Sequence, residues 1–158
     1  MNATRIFLAT ATAAGAGFAF HVLYGRVFAQ DYMAAAAEGG RMNEMLQEPY
    51  PTYVVIIAAF TALLPTLGKV LVWLLIRDKL PSLTTFGKAI CFTGLMMLID
   101  GDVLRMPVMN LLVGMPLDIW TVHSAEKWVI VPMMCFLIAF ILPPTRGDGP
   151  LSSPAMVR

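Results

Sequence analysis

The sequence predicts an all-α membrane protein, a bundle of four transmembrane helices. Three observations lead there. The chain of 158 residues is 58% hydrophobic and only 13% charged, with a mean hydropathy of +0.73; an ordinary soluble domain is about 45–50% apolar and roughly 25% charged. A chain of this size cannot hide so much apolar material in a core of its own, so the expected solvent is a lipid bilayer. The apolar residues also fall into four runs close to the roughly 20 residues that a spanning helix needs. Finally, the charges, prolines and glycines collect mainly in the connections between those runs.

The first run, residues 6–24, is IFLATATAAGAGFAFHVLY. Arg5, this run and VFAQD also fit a signal peptide cleaved after Ala29; the segment is read as a retained span. It carries small residues at four-residue spacing, Ala9, Ala13 and Gly17, followed by His21. In lipid, helix association depends on close backbone approach through small residues. That stripe is expected to pack against another helix, within a complex or in self-association, and to carry His21 with it.

The second run, residues 53–76, is interrupted by Pro65 and Gly68 and holds Lys69. This is the only charge well inside a span. Its long stem is expected to snorkel to the cytoplasmic headgroups, beyond reach of Asp100 at the outer end of the third span; the alternative is that it lines a polar pathway. The third run, residues 83–99, is short. The fourth, residues 122–142, has a polar first turn and contains Pro132. Prolines in helices remove a backbone donor and favour kinks.

Orientation follows from Lys and Arg alone. The side holding both termini and the connection at residues 77–88 carries Arg5, Arg77, Lys79, Lys88, Arg146 and Arg158, against Arg26, Arg41, Arg105 and Lys127 opposite. Six against four predicts cytoplasmic termini in a bacterial inner (plasma) membrane. On the outer side, residues 31–38 form a short interfacial helix broken by Gly39-Gly40, and Met42, Met45 and Leu46 continue an apolar stripe. Residues 103–117, VLRMPVMNLLVGMPL, are too apolar for a free loop and too broken for a span; an interfacial or re-entrant segment fits. Residues 1–143 thus form a single bundle domain, and residues 144–158 a flexible tail rich in Pro, Gly and Ser.

Chemistry-bearing residues gather at the outer boundary: Asp100, Asp102 and Arg105 in LIDGDVLRMP, and His123, Glu126 and Lys127 at the start of the fourth span, with His21 at similar depth. Three arrangements use them. Asp100, Asp102, His123 and Glu126 are a donor set suited to a divalent metal such as zinc. His21 and His123 are a candidate axial pair for haem. The plainest arrangement is a salt-bridged latch in which Arg105 and Lys127 neutralise the carboxylates. Nucleophile elbows, phosphate loops and HExxH are missing, so no catalytic residues are assigned and an enzyme is not favoured. A net charge of +1 with no basic stripe gives no nucleic-acid footprint. Cys91 and Cys135 lie in apolar runs without a CxxC spacing, which excludes a disulfide framework.

The stretch AGAGFAFHVLYGRVFAQDYM, with the later MNLLVGMPLDIW before a final apolar run, resembles the four-span bacterial family DUF1761 across the layout of most of the chain. DGDVLR and His123 depart from that pattern. The resemblance implies a four-helix membrane fold and no particular activity. The function expected from the sequence is a non-catalytic accessory or assembly subunit of a larger membrane complex. The alternatives are a small-solute or ion transporter built around Lys69, and a haem- or metal-binding redox protein using His21 and His123.

Overall fold

The computed structural model describes residues 3–39, 52–81, 84–101, 108, 109, 112 and 117–144. Every element among them is helical: α1 (Ala3–Tyr24), a π-helical turn (Gly25–Ala29), α2 (Gln30–Glu38), α3 (Thr52–Thr61), α4 (Leu63–Ile76), α5 (Thr85–Asp100) and α6 (Leu117–Ile141). Three helical runs are long and apolar enough to cross a membrane: Ala3–Ala29, Thr52–Ile76 and Ser124–Ile141. The predicted stripe at Met42, Met45 and Leu46, the predicted segment at residues 103–117 except for 108, 109, 112 and 117, and the tail beyond residue 144 lie outside the described residues.

Two expected boundaries move. The first span does not stop at Tyr24; one helical run continues through the π turn into α2 as far as Glu38. The last helix begins at Leu117, five residues ahead of the expected 122. The two shifts share a cause. Phe20, Tyr24 and Phe28 stack in sequence, with ring centroids 6.1 and 5.7 Å apart. The Tyr24 hydroxyl donates to the Val122 carbonyl at 2.7 Å, and the Tyr32 hydroxyl donates to the Asp118 carboxylate. Each extension therefore supports the other.

These contacts run antiparallel. Gly17 lies against Ile130 and Met134, His21 against Glu126, Tyr24 against Val122 and Tyr32 against Asp118. Ala9, Ala13 and Gly17 are buried, and a Cβ placed on Gly17 would come within 3.0 Å of Met134 Sδ. The small-residue stripe is thus used inside the chain, to let α1 approach α6. It is not left over for a partner, as the sequence reading had it, because the last span competes for the same face and is tethered to it.

The other helices complete an up-and-down arrangement. Trp73 of α4 meets Phe92 of α5 at 5.1 Å, and Phe86 of α5 meets Phe136 of α6 at 5.3 Å. The C-termini of α4 and α6 therefore lie at one end, with the N-termini of α1 and α5. We call this the closed end. Val70, Trp73, Phe92, Cys135 and Ile138 are fully buried beneath it. α6 runs out at Leu142 and Pro143, where its last carbonyls have no intrahelical donor. Trp73 Nε1 donates to Leu142 O at 2.8 Å, and Arg77 Nη1 donates to Pro143 O at 2.9 Å.

Local signals set the remaining ends. Thr84 caps α5, its hydroxyl accepting from the Gly87 N–H at 3.1 Å. Gly101 closes that helix at φ 72°, a left-handed conformation that glycine adopts without strain. Pro65 cannot donate to the Thr61 carbonyl and crowds it, and the helix is interrupted there between α3 and α4. Thr66 Oγ1 donates to the carbonyl of Ala62, the residue at the break, at 2.8 Å, and the Thr61 hydroxyl donates back into α3 to Ile57 O at 2.9 Å. Pro132 is carried inside α6 without ending it.

Two outcomes follow. Gly17→Leu forces a branched side chain against Met134 and is expected to cost about 1–3 kcal/mol, read as a lower Tm in detergent. Gly17→Ala, which Met134 accommodates by a small shift, changes the Tm far less. Trp73→Phe removes the indole donor to Leu142 and is expected to cost about 1 kcal/mol, with helix content unchanged by circular dichroism.

Candidate functional site

Toward the other end the described helices do not close on one another. The break before Pro65, the small side chains of α1 and the end of α5 leave a groove of about 470 Å³. Its walls include Ala14, Gly17 and Phe18 of α1, Ala58 of α3, Pro65 and Thr66 of α4, and Ile130 and Met134 of α6. Five ionisable side chains border it: His21, Lys69, Asp100, Glu126 and Lys127.

Four of the five form two pairs. Lys69 Nζ lies 3.0 Å from Asp100 Oδ2, with side chains only 13% and 28% exposed. This corrects the expectation that Lys69 snorkels toward the closed end, out of reach of Asp100. The direction of the Cα–Cβ bonds explains it, since each tilts toward the N-terminus of its own helix. α4 starts at the open end, so Lys69 leans outward. α5 starts at the closed end, so Asp100 leans back inward. The two side chains close a gap that residue counting along each helix leaves open.

In the second pair, His21 Nδ1 and Glu126 Oε1 are 2.6 Å apart. Facing a carboxylate, Nδ1 carries the proton and donates. Glu126 is the more shielded member, at 14% exposure against 54% for His21. Asp100 is neutralised by Lys69 and Glu126 is engaged by His21, while Asp102 and Arg105 lie outside the described residues.

The metal and haem assignments meet the same geometry. Among the described residues no three His, Cys, Asp or Glu side chains come together as a metal site. Asp102 lies outside them, and of His123 only the helical backbone is described. Glu126 stands beside a histidine ring as its hydrogen-bond partner. That is the position of a group that orients a ligating histidine, and it differs from the direct-ligand role the sequence reading gave Glu126. His21 of the proposed haem pair thus has a carboxylate partner that orients its ring.

Sequence reasoning missed the tyrosines. Tyr24 and Tyr32 fix the height of the first turns of α6, and so the position of Glu126 over the groove. The signal was present as Phe20, Tyr24, Phe28 and Tyr32 at four-residue spacing. It was passed over because the first span was expected to end at Tyr24.

The fold and the groove define a class: an all-helical protein with helices long enough to cross a membrane, and ionisable pairs bordering a cavity between them. Set against protein-family models, curated proteins and solved structures, the chain finds no match.

Because Lys69 and Asp100 are mostly shielded, removing one partner leaves the other in poor surroundings. Lys69→Met and Asp100→Asn are each expected to cost about 1–3 kcal/mol, between the values for exposed and fully buried pairs. The double variant should cost clearly less than the sum of the two. A double-mutant cycle on thermal stability measures the difference, and strict additivity would mean that the pair does not interact.

Proposed function

We propose that the chain is a four-span, multi-pass protein of a bacterial inner membrane, with cytoplasmic termini, that admits a small polar solute or ion into the groove from the outer side. α5 has 16 residues, about 24 Å at roughly 1.5 Å per residue, short for a span. Connectivity supports it as one. α4 and α6 both end at the closed end, so the chain must return across the bundle between them, and α5 is the described helix that makes the return. The closed end carries Arg5, Arg77, Lys79 and Lys88, which favours its placement on the cytoplasmic side.

The observation that carries the functional reading is the Lys69–Asp100 pair beside a cavity. Ionisable side chains at membrane depth are costly and mark solute, ion or proton paths more often than chance. A purely structural clamp would be packed solid. Here the pair borders open volume within the roughly 300–1,000 Å³ range of small-molecule sites. On this reading the apolar packing beneath Lys69 closes the cytoplasmic side and the groove faces outward.

The accessory-subunit reading keeps one observation in its favour. α3 has no buried residue, and Tyr53, Ile56, Ile57 and Phe60 are all exposed along it. Lipid or a partner helix covers that face, and a native mass spectrum from membranes separates the two: a stoichiometric larger subunit supports the accessory role.

The transport reading is tested in proteoliposomes by uptake of labelled L-leucine, leucinamide and 4-methylpentanoate. At least one should enter faster than into empty vesicles, and Lys69→Met should slow that entry about tenfold, the loss expected from removing one good polar contact. Uptake equal to that of empty vesicles for all three would end this reading.

A further inference from the structure

We infer that the groove takes a small zwitterion, an ammonium and a carboxylate on a short aliphatic body, the chemistry of an apolar amino acid. The inference rests on the solute-admitting reading above and specifies its substrate class.

The argument begins with charge balance. Among the described lining residues, Lys69 and Lys127 are basic and Asp100 and Glu126 acidic, so both signs of charge border the groove in equal number, with His21 held beside Glu126. A lone anion or cation entering such a site brings an uncompensated charge into surroundings that solvate it less well than water. A zwitterion adds no net charge. Its two ends can also insert into the existing pairs, the carboxylate toward Lys69 and the ammonium toward Asp100 or Glu126.

The layout of the pairs fits the same ligand. Lys69–Asp100 joins α4 to α5 and His21–Glu126 joins α1 to α6, so each pair bridges a different couple of helices. Both poles of a short ligand thus find a complement at either pair. The wall between is apolar, made by Ala14, Phe18, Ala58, Ala62 and Met134. It offers nothing to a polyhydroxylated solute and suits an aliphatic side chain. A bare metal cation is a poorer fit, since no three candidate ligands converge among the described residues.

The test uses the purified full chain in mild detergent and the same three matched probes. L-leucine carries both charges, leucinamide only the ammonium, and 4-methylpentanoate only the carboxylate. L-leucine should bind saturably and raise the Tm, with each singly charged probe about tenfold weaker, the weight of one lost ion contact. Lys69→Met should erase the preference over leucinamide, and Asp100→Asn the preference over 4-methylpentanoate. The charge-neutral double variant, Lys69→Met with Asp100→Asn, guards against misfolding of the singles and should lose both preferences together. Equal binding of all three probes by the wild type, a preference for a singly charged probe, or no binding by folded protein each overturns the inference. If proteoliposomes pass leucinamide or 4-methylpentanoate better than L-leucine, the zwitterion assignment fails and the transport reading survives. If none of the three enters, both fail.

Discussion

The contact on which the rest of the molecule depends is the close approach of α1 to α6 at Gly17. A hydrogen atom in place of a side chain lets the helices meet over Met134. That approach fixes their relative height. Above it, the register brings His21 to Glu126, Tyr24 to the Val122 carbonyl and Tyr32 to Asp118. Below it, Ala9 and Ala13 are fully buried with Ile138 and Ala139 in the same apolar cluster. A shift of one helical turn would separate all of these pairs at once.

The two ends of the bundle solve opposite problems. At the closed end, every carbonyl released where α6 stops must find a donor, because an unpaired buried carbonyl is expensive. Trp73 and Arg77 supply donors from the neighbouring helix, and the aromatic body of Trp73 fills the space between α4, α5 and α6. At the open end, Pro65 breaks the helix and small residues line α1, so the same four-helix arrangement leaves room. Four of the ionisable groups on the rim of that room stand in two pairs, Lys69 with Asp100 and His21 with Glu126.

The apolar helices and their order were legible in the sequence because they rest on length and local composition; three of the runs are long and apolar enough to cross a membrane. The burial face of α1 was legible too, from Ala9, Ala13 and Gly17 alone. What occupies that face was not: a small-residue stripe says that a helix comes close, and nothing local says whether it belongs to the same chain. The boundaries of α1 and α6 were misjudged for a related reason. Polar residues such as Arg26, Asp31 and Asp118 look like helix ends when each segment is read alone, and the tyrosine contacts that extend both helices form only once they are side by side.

The candidate site divides along the same line. Composition determined that Asp100, Glu126 and His21 would share one depth, since all three sit at the same end of their spans. Which charge meets which was decided only by the tertiary structure. Lys69 and Asp100 lie on different helices and different turns, and their pairing depends on the opposite lean of their side chains and on the heights at which α4 and α5 pack. Such heights are set by contacts such as Trp73 with Phe92, between residues distant in sequence. The sequence by itself determined a helical chain made for lipid, with its charges gathered toward one end. Only the tertiary structure turned those charges into two pairs around a cavity, because partner choice is a property of register between helices, and no single helix encodes it.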